Sequence, residues 1–206
     1  MLSGNAHIMT CDTDWCSPVM LEEAMRIFGD IPVTYFSTGE YKALDELARN
    51  EPALVGPHPS LAGLHHKTCD FENQLLDHLN RYPQAEGYRC HGHMDSAWIQ
   101  MKMAEMGYIW ESNMCCHLEP GLKPIKMFSG LTRFPVWLED DVWMSREKLE
   151  GPIDIQDALE TPGMKVFNFH PAHLCENVMI RALFDWIVDN VDEWTTPSEE
   201  MKRCEF

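Results

Sequence analysis

Short apolar runs alternate with amphipathic stretches along this chain, and that alternation predicts strands and helices in turn. The runs are rich in β-branched and aromatic residues, as strands are, whereas the amphipathic stretches repeat their apolar residues every three to four positions, as helices do. The predicted strands cover residues 6–9, 31–36, 53–56, 86–91, 108–111, 135–138 and 164–169, with a hairpin over 126–133 and helices over 17–29, 41–50, 70–81, 96–106 and 177–192.

Strands that alternate with helices imply an α/β fold, in which a parallel sheet is built with right-handed crossovers. Seven strand–helix units in 206 residues are too few and too short for a regular eight-stranded barrel. We therefore expect a single domain over residues 1–206, folded as an irregular or incomplete (β/α)7 barrel, with an open doubly wound sheet as the alternative. The polar tail over residues 195–206 is expected to be frayed.

Polar residues suited to metal binding and proton transfer stand where the predicted strands end. Because the carboxyl ends of parallel strands converge on one face, we expect these residues to form one site. Carboxylates and imidazoles together are typical ligands of zinc, iron, nickel or manganese. The residues concerned are Asp12 and Asp14, His58, Arg89 and His91, Asp140 and Asp141, and His170 and His173.

Asp12 and Asp14 are the central pair of this set. Alternate residues of a strand face the same side, so both carboxylates would project together and repel each other unless a cation or a shared proton lies between them. In the alternative interpretation they form an Asx-turn and cap the next helix. His58 and His170 also have purely structural interpretations. In these, His58 is a turn residue between two prolines, and His170 is a buried histidine whose nitrogens are hydrogen-bonded.

The net charge of the chain limits the classes of molecule that it is expected to bind. A formal net charge of −17 disfavours nucleic acid and anionic membrane surfaces, which are polyanions, and it is compatible with a cation site. No apolar run approaches the length of a membrane span, and the first residues lack a signal-peptide pattern. Eight cysteines without a Cys-x-x-Cys pair indicate reduced thiols. We expect a cytoplasmic protein, of an oligomeric state that the sequence leaves open.

The ordered motifs resemble those of the polysaccharide deacetylase-like hydrolases, the chitooligosaccharide deacetylase homology group of carbohydrate esterase family 4. Residues 10–14, Thr-Cys-Asp-Thr-Asp, resemble the family's Thr-Phe-Asp-Asp-Gly with one residue inserted between the acids. Further matches are the histidine stretch 56–60, the arginine motif 89–91, the acid-and-tryptophan region 135–141 and the final strand 167–170, which ends in histidine. The resemblance implies a barrel of the polysaccharide deacetylase type.

The resemblance also implies a role for each matching residue. Asp12 would be the general base that takes a proton from metal-bound water, Arg89 would pair with Asp12, and His170 would be the general acid. Asp14 and His58 would be ligands of a divalent metal, with zinc as the first choice and nickel, iron, cobalt or manganese as alternatives. Substrate-binding residues are expected at Trp15, Asp141 and His173.

The chain departs from the family at one ligand. The second metal-binding histidine usually follows the first by four residues, where this chain has Ala62. We expect His91 to replace it, with His93, His65 and His66 as weaker candidates.

The expected function is hydrolytic removal of an N-acyl group, acetyl first, from a sugar or sugar-like substrate. In a cytosolic protein that substrate would be a small or precursor sugar, such as a nucleotide-linked or lipid-linked one. Hydrolysis of another C–N bond, as in a cyclic amide, is an alternative on the same site. The second alternative is a non-catalytic metal- or carbohydrate-binding protein. Ala62 favours this alternative, whereas the presence of Asp12, Arg89 and His170 argues against it.

Overall fold

A five-stranded parallel sheet forms the centre of the computed structural model, which describes residues 5–60, 70–150 and 155–203. Its strand order is β3-β2-β1-β9-β8, and a second sheet has the order β4-β5-β7-β6. The strands are β1 (His7–Asp12), β2 (Val33–Ser37), β3 (Val55–Pro57), β4 (Gly87–Tyr88), β5 (Trp110–Glu111), β6 (Ile125–Lys126), β7 (Thr132–Arg133), β8 (Val136–Glu139) and β9 (Lys165–Phe169).

The two sheets adjoin at both sides and together make an incomplete barrel, which confirms the predicted architecture. On one side, the backbone N–H of Arg89 donates to the carbonyl of Pro57 at 3.2 Å, between β4 and β3. On the other side, an isolated parallel bridge joins Cys115 to Val136 of β8. Strands β6 and β7 form the predicted antiparallel hairpin. We call the face made by the carboxyl ends of the parallel strands the barrel mouth.

The first helix begins and ends where its capping residues predict. Helix α1 (Pro18–Phe28) is capped by Ser17, whose Oγ accepts the N–H of Met20 at 3.2 Å, and it stops at Gly29 with φ 61°. The other helices are α2 (Lys42–Asn50), α3 (Phe71–Arg81), α4 (Ala97–Glu105), α5 (Asp140–Glu150), α6 (Gln156–Glu160), α7 (Pro171–Glu176), α8 (Val178–Asp189) and α9 (Pro197–Arg203). Among the described residues, no helix has the length and apolarity needed to cross a bilayer.

The barrel interior is apolar at its floor and polar near its mouth. Alternate residues of β1 face inward, where Ile8 packs in a buried cluster with Phe36 and Trp110 drawn from both sheets. Further along the strand, Thr10 and Asp12 are also buried, although they are polar. Burial of such groups is tolerable only where hydrogen-bond or ionic partners exist. The interior near the mouth is therefore polar, and its buried polar groups require partners there.

The expectation of a frayed tail is wrong over the described residues 195–203. The first residues of β1 extend beyond β2, whose pairing starts at Met9–Val33, and their free backbone groups pair with the tail instead. The N–H of Thr195 donates to the carbonyl of His7 at 2.9 Å. Helix α9 follows, with Glu200 buried. The polarity of the tail predicted fraying, but the end of β1 that β2 leaves unpaired provides the backbone contact that orders the tail.

Candidate metal and catalytic site

Asp12 lies at the end of β1 inside the barrel and is held on both carboxylate oxygens. Nη1 of Arg89 donates to Oδ1 at 2.9 Å, and Nδ2 of Asn168 donates to Oδ2 at 3.0 Å. Burial would raise the pKa of Asp12, but the nearby charges of Arg89 and His58 outweigh it and hold that pKa well below its usual range. Asp12 is therefore an ionised carboxylate with a fixed orientation.

Arg89 is fully buried, and its guanidinium is surrounded by acceptors. Nε donates to the carbonyl of Ser112 at 3.0 Å, Nη2 to Oγ of Ser112 at 2.8 Å, and Nη1 to Oγ1 of Thr10 at 3.0 Å as well as to Oδ1 of Asn168 at 2.5 Å. Its Cζ lies 4.5 Å above the ring of Phe36. These contacts compensate the cost of burying the charge and fix the position of Asp12.

Asp14, His58 and His91 converge at the mouth from the ends of β1, β3 and β4. Oδ2 of Asp14 lies 2.9 Å from Nε2 of His58 and 3.2 Å from Nδ1 of His91. Although these distances are short, neither nitrogen of His58 nor Nδ1 of His91 makes a well-oriented hydrogen bond within the described part of the chain, and all three atoms are buried. The three donors are close together without satisfying one another.

This arrangement fits a divalent cation. Buried imidazole nitrogens that lack hydrogen bonds are costly unless another partner binds them. One carboxylate and two imidazoles form a donor set suited to zinc and to other borderline ions. Donors about 2.1 Å from one tetrahedral ion are about 3.4 Å apart, within about half an ångström of the 2.9 and 3.2 Å that separate Asp14 from His58 and His91. Burial would raise the pKa of Asp14, but contact with His58 outweighs it and lowers that pKa, so the carboxylate is ionised.

His170 and Asp140 form a second buried pair beside this cluster. Nδ1 of His170 lies 2.7 Å from Oδ1 of Asp140, and the backbone N–H of His170 donates to Oδ2 at 2.8 Å. Burial would lower the pKa of His170, but Asp140 outweighs it and raises that pKa to about 10. Nε2 of His170 lies 3.8 Å from Oδ2 of Asp14. A protonated imidazole therefore faces the candidate cation site.

Trp15 covers this group from the solvent side. Its side chain is 65% exposed and its backbone has φ 53°, a left-handed conformation directly after Asp14. The ring centroid of Trp15 lies 5.5 Å from that of His170, 6.1 Å from that of His91 and 6.2 Å from that of His173. An exposed indole thus stands at the edge of the mouth.

Next to Trp15, a cavity of about 260 Å³ opens beside Asp14 and His58. Its lining includes Gln74 and His78, from helix α3. A larger groove of about 740 Å³ shares Thr38, Gln74 and His78 with this cavity and continues along α3. The mouth therefore opens into a cleft that extends beyond the group formed by Asp14, His58 and His91.

The structure brings most of the sequence-predicted residues to this mouth. Asp141 lies at the rim, partly exposed, with Oδ1 3.3 Å from Nδ1 of His173, while the buried Asp140 contacts His170. His93 points to Glu139 rather than to Asp14. The weaker candidates His65 and His66, and the position of Ala62, lie outside the described residues. The residues gathered at the mouth are Asp12, Asp14, Trp15, His58, Arg89, His91, His170 and His173.

Sequence reasoning missed the contribution of three polar residues. Asn168 joins Arg89 to Asp12, and it stands two residues before His170, so strand alternation was an available signal. Asp140 was recognised only as part of a strand-end pair, without a role. Glu139 accepts weakly from Nδ2 of Asn168 at 3.4 Å and contacts His93 at 2.5 Å.

Comparison with known proteins identifies the family. The WbmS-like family, described as polysaccharide deacetylase, matches residues 9–183. The chain belongs to this family. Its match includes the residues gathered at the mouth, and WbmS-like polysaccharide deacetylase membership supports a sugar deacetylase-type hydrolase. A search of curated proteins gave no match.

Solved structures support the fold of this WbmS-like protein. A Bordetella bronchiseptica protein, described as a polysaccharide deacetylase involved in O-antigen biosynthesis, is 22% identical with a TM-score of 0.73, over 87% of this chain and 77% of that one. A polysaccharide deacetylase-type protein from Mycobacterium smegmatis is 16% identical with a TM-score of 0.57, over 98% and 90%. A 4-α-glucanotransferase from Thermococcus litoralis is 15% identical with a TM-score of 0.52, over 98% of this chain but 38% of that one. At these identities the likeness is one of fold.

Proposed function

We propose that this WbmS-like protein is a metal-dependent hydrolase that removes an N-acyl group, acetyl first, from an amino sugar or a sugar-like substrate. One observation carries the proposal. The group formed by Asp14, His58 and His91 has an ionised carboxylate and a protonated imidazole beside it, since Asp12 lies 3.8 Å from His58 and His170 lies 3.8 Å from Asp14. A site that only binds a ligand has no need of a base and an acid next to the cation.

Asp14, His58 and His91 would hold the cation, with zinc as the first choice and nickel, iron, cobalt or manganese as alternatives. When bound, the cation would lower the pKa of water and polarise the acyl oxygen of the substrate. The unsatisfied nitrogens of His58 and His91 support this assignment. The ligand from the fourth strand would thereby replace the histidine that the family has where this chain has Ala62.

Asp12 and His170 would move the protons. Asp12 accepts a proton from the attacking water, whose oxygen adds to the acyl carbon, while Arg89 and Asn168 keep the carboxylate aimed at the site. His170 then donates the proton on Nε2 to the amide nitrogen as the C–N bond breaks. Asp140 supports this step because it binds Nδ1 of His170 and keeps the ring protonated at neutral pH.

The substrate would enter along the rim and the cleft beside α3. The exposed indole of Trp15 offers an apolar face on which a sugar ring can stack. His173 stands next to the indole, and Asp141 lies beside His173, so both offer polar groups for sugar hydroxyls. The cavity beside Asp14 and the longer groove along α3 have room for more than one sugar unit.

Acetate release tests the proposal. Purified protein would be stripped with a chelator, reloaded with zinc and incubated with N-acetylated amino sugars and their oligomers. We expect acetate only from the loaded protein, and Asp14→Ala or His58→Ala should bind no zinc while the fold is retained. Glu160→Ala, which removes an exposed carboxylate on α6, serves as the matched control.

Three outcomes would contradict this function. Full zinc occupancy in both Asp14→Ala and His58→Ala would refute the ligand assignment. Zinc-loaded protein that retains an acylated sugar without releasing acetate would be a binding protein. Ring opening of a cyclic amide without acetate release would indicate hydrolysis of another C–N bond.

A further inference from the structure

A contact between His93 and Glu139 joins opposite sides of the barrel mouth. His93 follows β4, whereas Glu139 is the last residue of β8. Nε2 of His93 lies 2.5 Å from Oε2 of Glu139. The proposed reaction uses neither residue, so their short, nearly buried contact requires another explanation.

The segment held by this contact is the turn His91–His93, which carries a candidate metal ligand at its start. Gly92 has φ 62° and His93 has φ 53°, so two consecutive residues adopt left-handed conformations. Glycine does so freely, but histidine does so at a cost. Such a conformation persists where surrounding contacts impose it. The contact with Glu139 is one such contact, because it holds the side chain of His93, the residue with the unfavourable backbone conformation.

The anchor itself is fixed. Glu139 is 7% exposed, stands at the end of β8, an edge strand of the five-stranded sheet that pairs with β9, and has its Oε1 3.4 Å from Nδ2 of Asn168. On the other side of the turn, the N–H of His91 donates to the carbonyl of Pro59 at 3.1 Å. The turn is thus held between β3 and β8, and the ring of His91 is directed at Asp14.

We propose that His93 and Glu139 are positioning residues for the cation site, because their contact fixes the turn from which His91 reaches the cation. The inference rests on the proposed function, since it requires His91 to be a ligand. A ligand on a loop must otherwise be ordered when the cation binds, and that ordering weakens affinity. Residues that orient metal ligands typically change affinity by about 10- to 100-fold.

Titration with Co²⁺, followed by its visible absorption, tests the proposal without any substrate. We expect His93→Ala to weaken Co²⁺ binding by about 10- to 100-fold. His93→Gln should recover part of this loss, because its amide can donate to Glu139, and Glu139→Gln should lose less than His93→Ala. His7→Ala is the matched control, since it removes a half-buried histidine at the opposite end of β1, and it should leave the affinity unchanged.

A double-mutant cycle shows whether His93 acts through His91. In a His91→Ala background, His93→Ala should weaken Co²⁺ binding no further. Unchanged affinity in His93→Ala, or an equal loss in both backgrounds, would overturn the inference. If the wild-type protein bound no Co²⁺, the proposed function itself would fail. Circular dichroism confirms folding, and the near-isosteric Glu139→Gln serves as the test if His93→Ala does not fold.

Discussion

Nδ1 of His170 lies 2.7 Å from Oδ1 of Asp140, and both side chains are buried. The relationship follows from topology, because Asp140 directly follows β8, His170 directly follows β9, and these strands are neighbours. The same carboxylate also accepts the backbone N–H of His170 at 2.8 Å. The imidazole is therefore held by Asp140 at one nitrogen and presents the other to the site.

Replacement of Asp140 should lower the pKa of His170. Asp140 is the main reason that this pKa is about 10 despite burial, so Asp140→Asn should lower it toward its ordinary value. NMR titration of the metal-free protein would measure the change directly. The exposed Asp185→Asn, on α8, should leave the His170 titration unaltered. An unchanged titration in Asp140→Asn would contradict the assigned pairing.

The same shift predicts how stability depends on pH. The folded-state pKa of His170, about 10, lies above its ordinary value of 6.5, so its protonation stabilises the fold fully below pH 6.5. That contribution is lost as the pH rises toward 10. Between these pH values the wild-type free energy of unfolding should fall more steeply than that of Asp140→Asn, as measured by urea denaturation. Parallel curves would show that Asp140 does not control His170.

Removal of Arg89 should destabilise the protein strongly. Arg89→Ala would leave Asp12 buried without its cationic partner, a change that typically costs about 3–5 kcal/mol. Arg89→Lys should also be costly, since an ammonium cannot reach Ser112, Thr10 and Asn168 together. Urea denaturation measures both.

The exposed Arg181, paired with Asp185 at 2.9 Å on α8, provides the comparison for Arg89. Arg181→Ala should cost at most about 1 kcal/mol, because solvent screens a surface pair. Equal losses for the two variants would mean that the buried network around Asp12 contributes no more than a surface ion pair.

Local pattern was sufficient to place the strands, five of the nine described α-helices and the main site residues, but it did not predict α5, α6, α7 or α9. The apolar runs located the strands, and polar residues at their ends located the mouth, because parallel strands must converge there. Strand alternation predicts Asp12 and Asp14 as a pair on one side of the first strand, but β1 ends at Asp12 and Asp14 lies in the turn beyond it. The motif resemblance implies separate roles for Asp12 and Asp14, a distinction that the periodicity of the sequence cannot make.

The missed features depend on register and on long-range contact. Asn168 reaches Asp12 because Thr10 of β1 is paired with Asn168 of β9, and sequence does not specify that register directly. The contact of His93 with Glu139 requires two elements on opposite sides of the mouth and a left-handed backbone. Such contacts arise from the assembled barrel, so single-segment patterns do not reveal them.

Truncation of Trp15 should affect substrate binding more than stability. Because the side chain is 65% exposed, Trp15→Ala should change the free energy of unfolding by no more than about 0.5 kcal/mol. If the indole stacks on a sugar, KM for an N-acetylated oligosaccharide should rise while kcat changes little, since Trp15 moves no proton. Phe128→Ala removes another exposed aromatic residue, at the hairpin turn before β7, and should leave KM unaltered. A KM unaffected by Trp15→Ala would exclude the stacking role.

Gly87 permits the close packing that brings β4, and with it Arg89, to the barrel. A Cβ added at Gly87 would overlap the indole of Trp110, which is almost fully buried and cannot move aside freely. Gly87→Ala should therefore destabilise the protein by about 1–3 kcal/mol, as overpacking of a core does. At Gly39 no atom lies within 4 Å of an added Cβ, so Gly39→Ala should have little effect. Urea denaturation that showed Gly87→Ala to be as stable as Gly39→Ala would contradict this packing, and the route by which the second sheet delivers Arg89 to Asp12 would need another explanation.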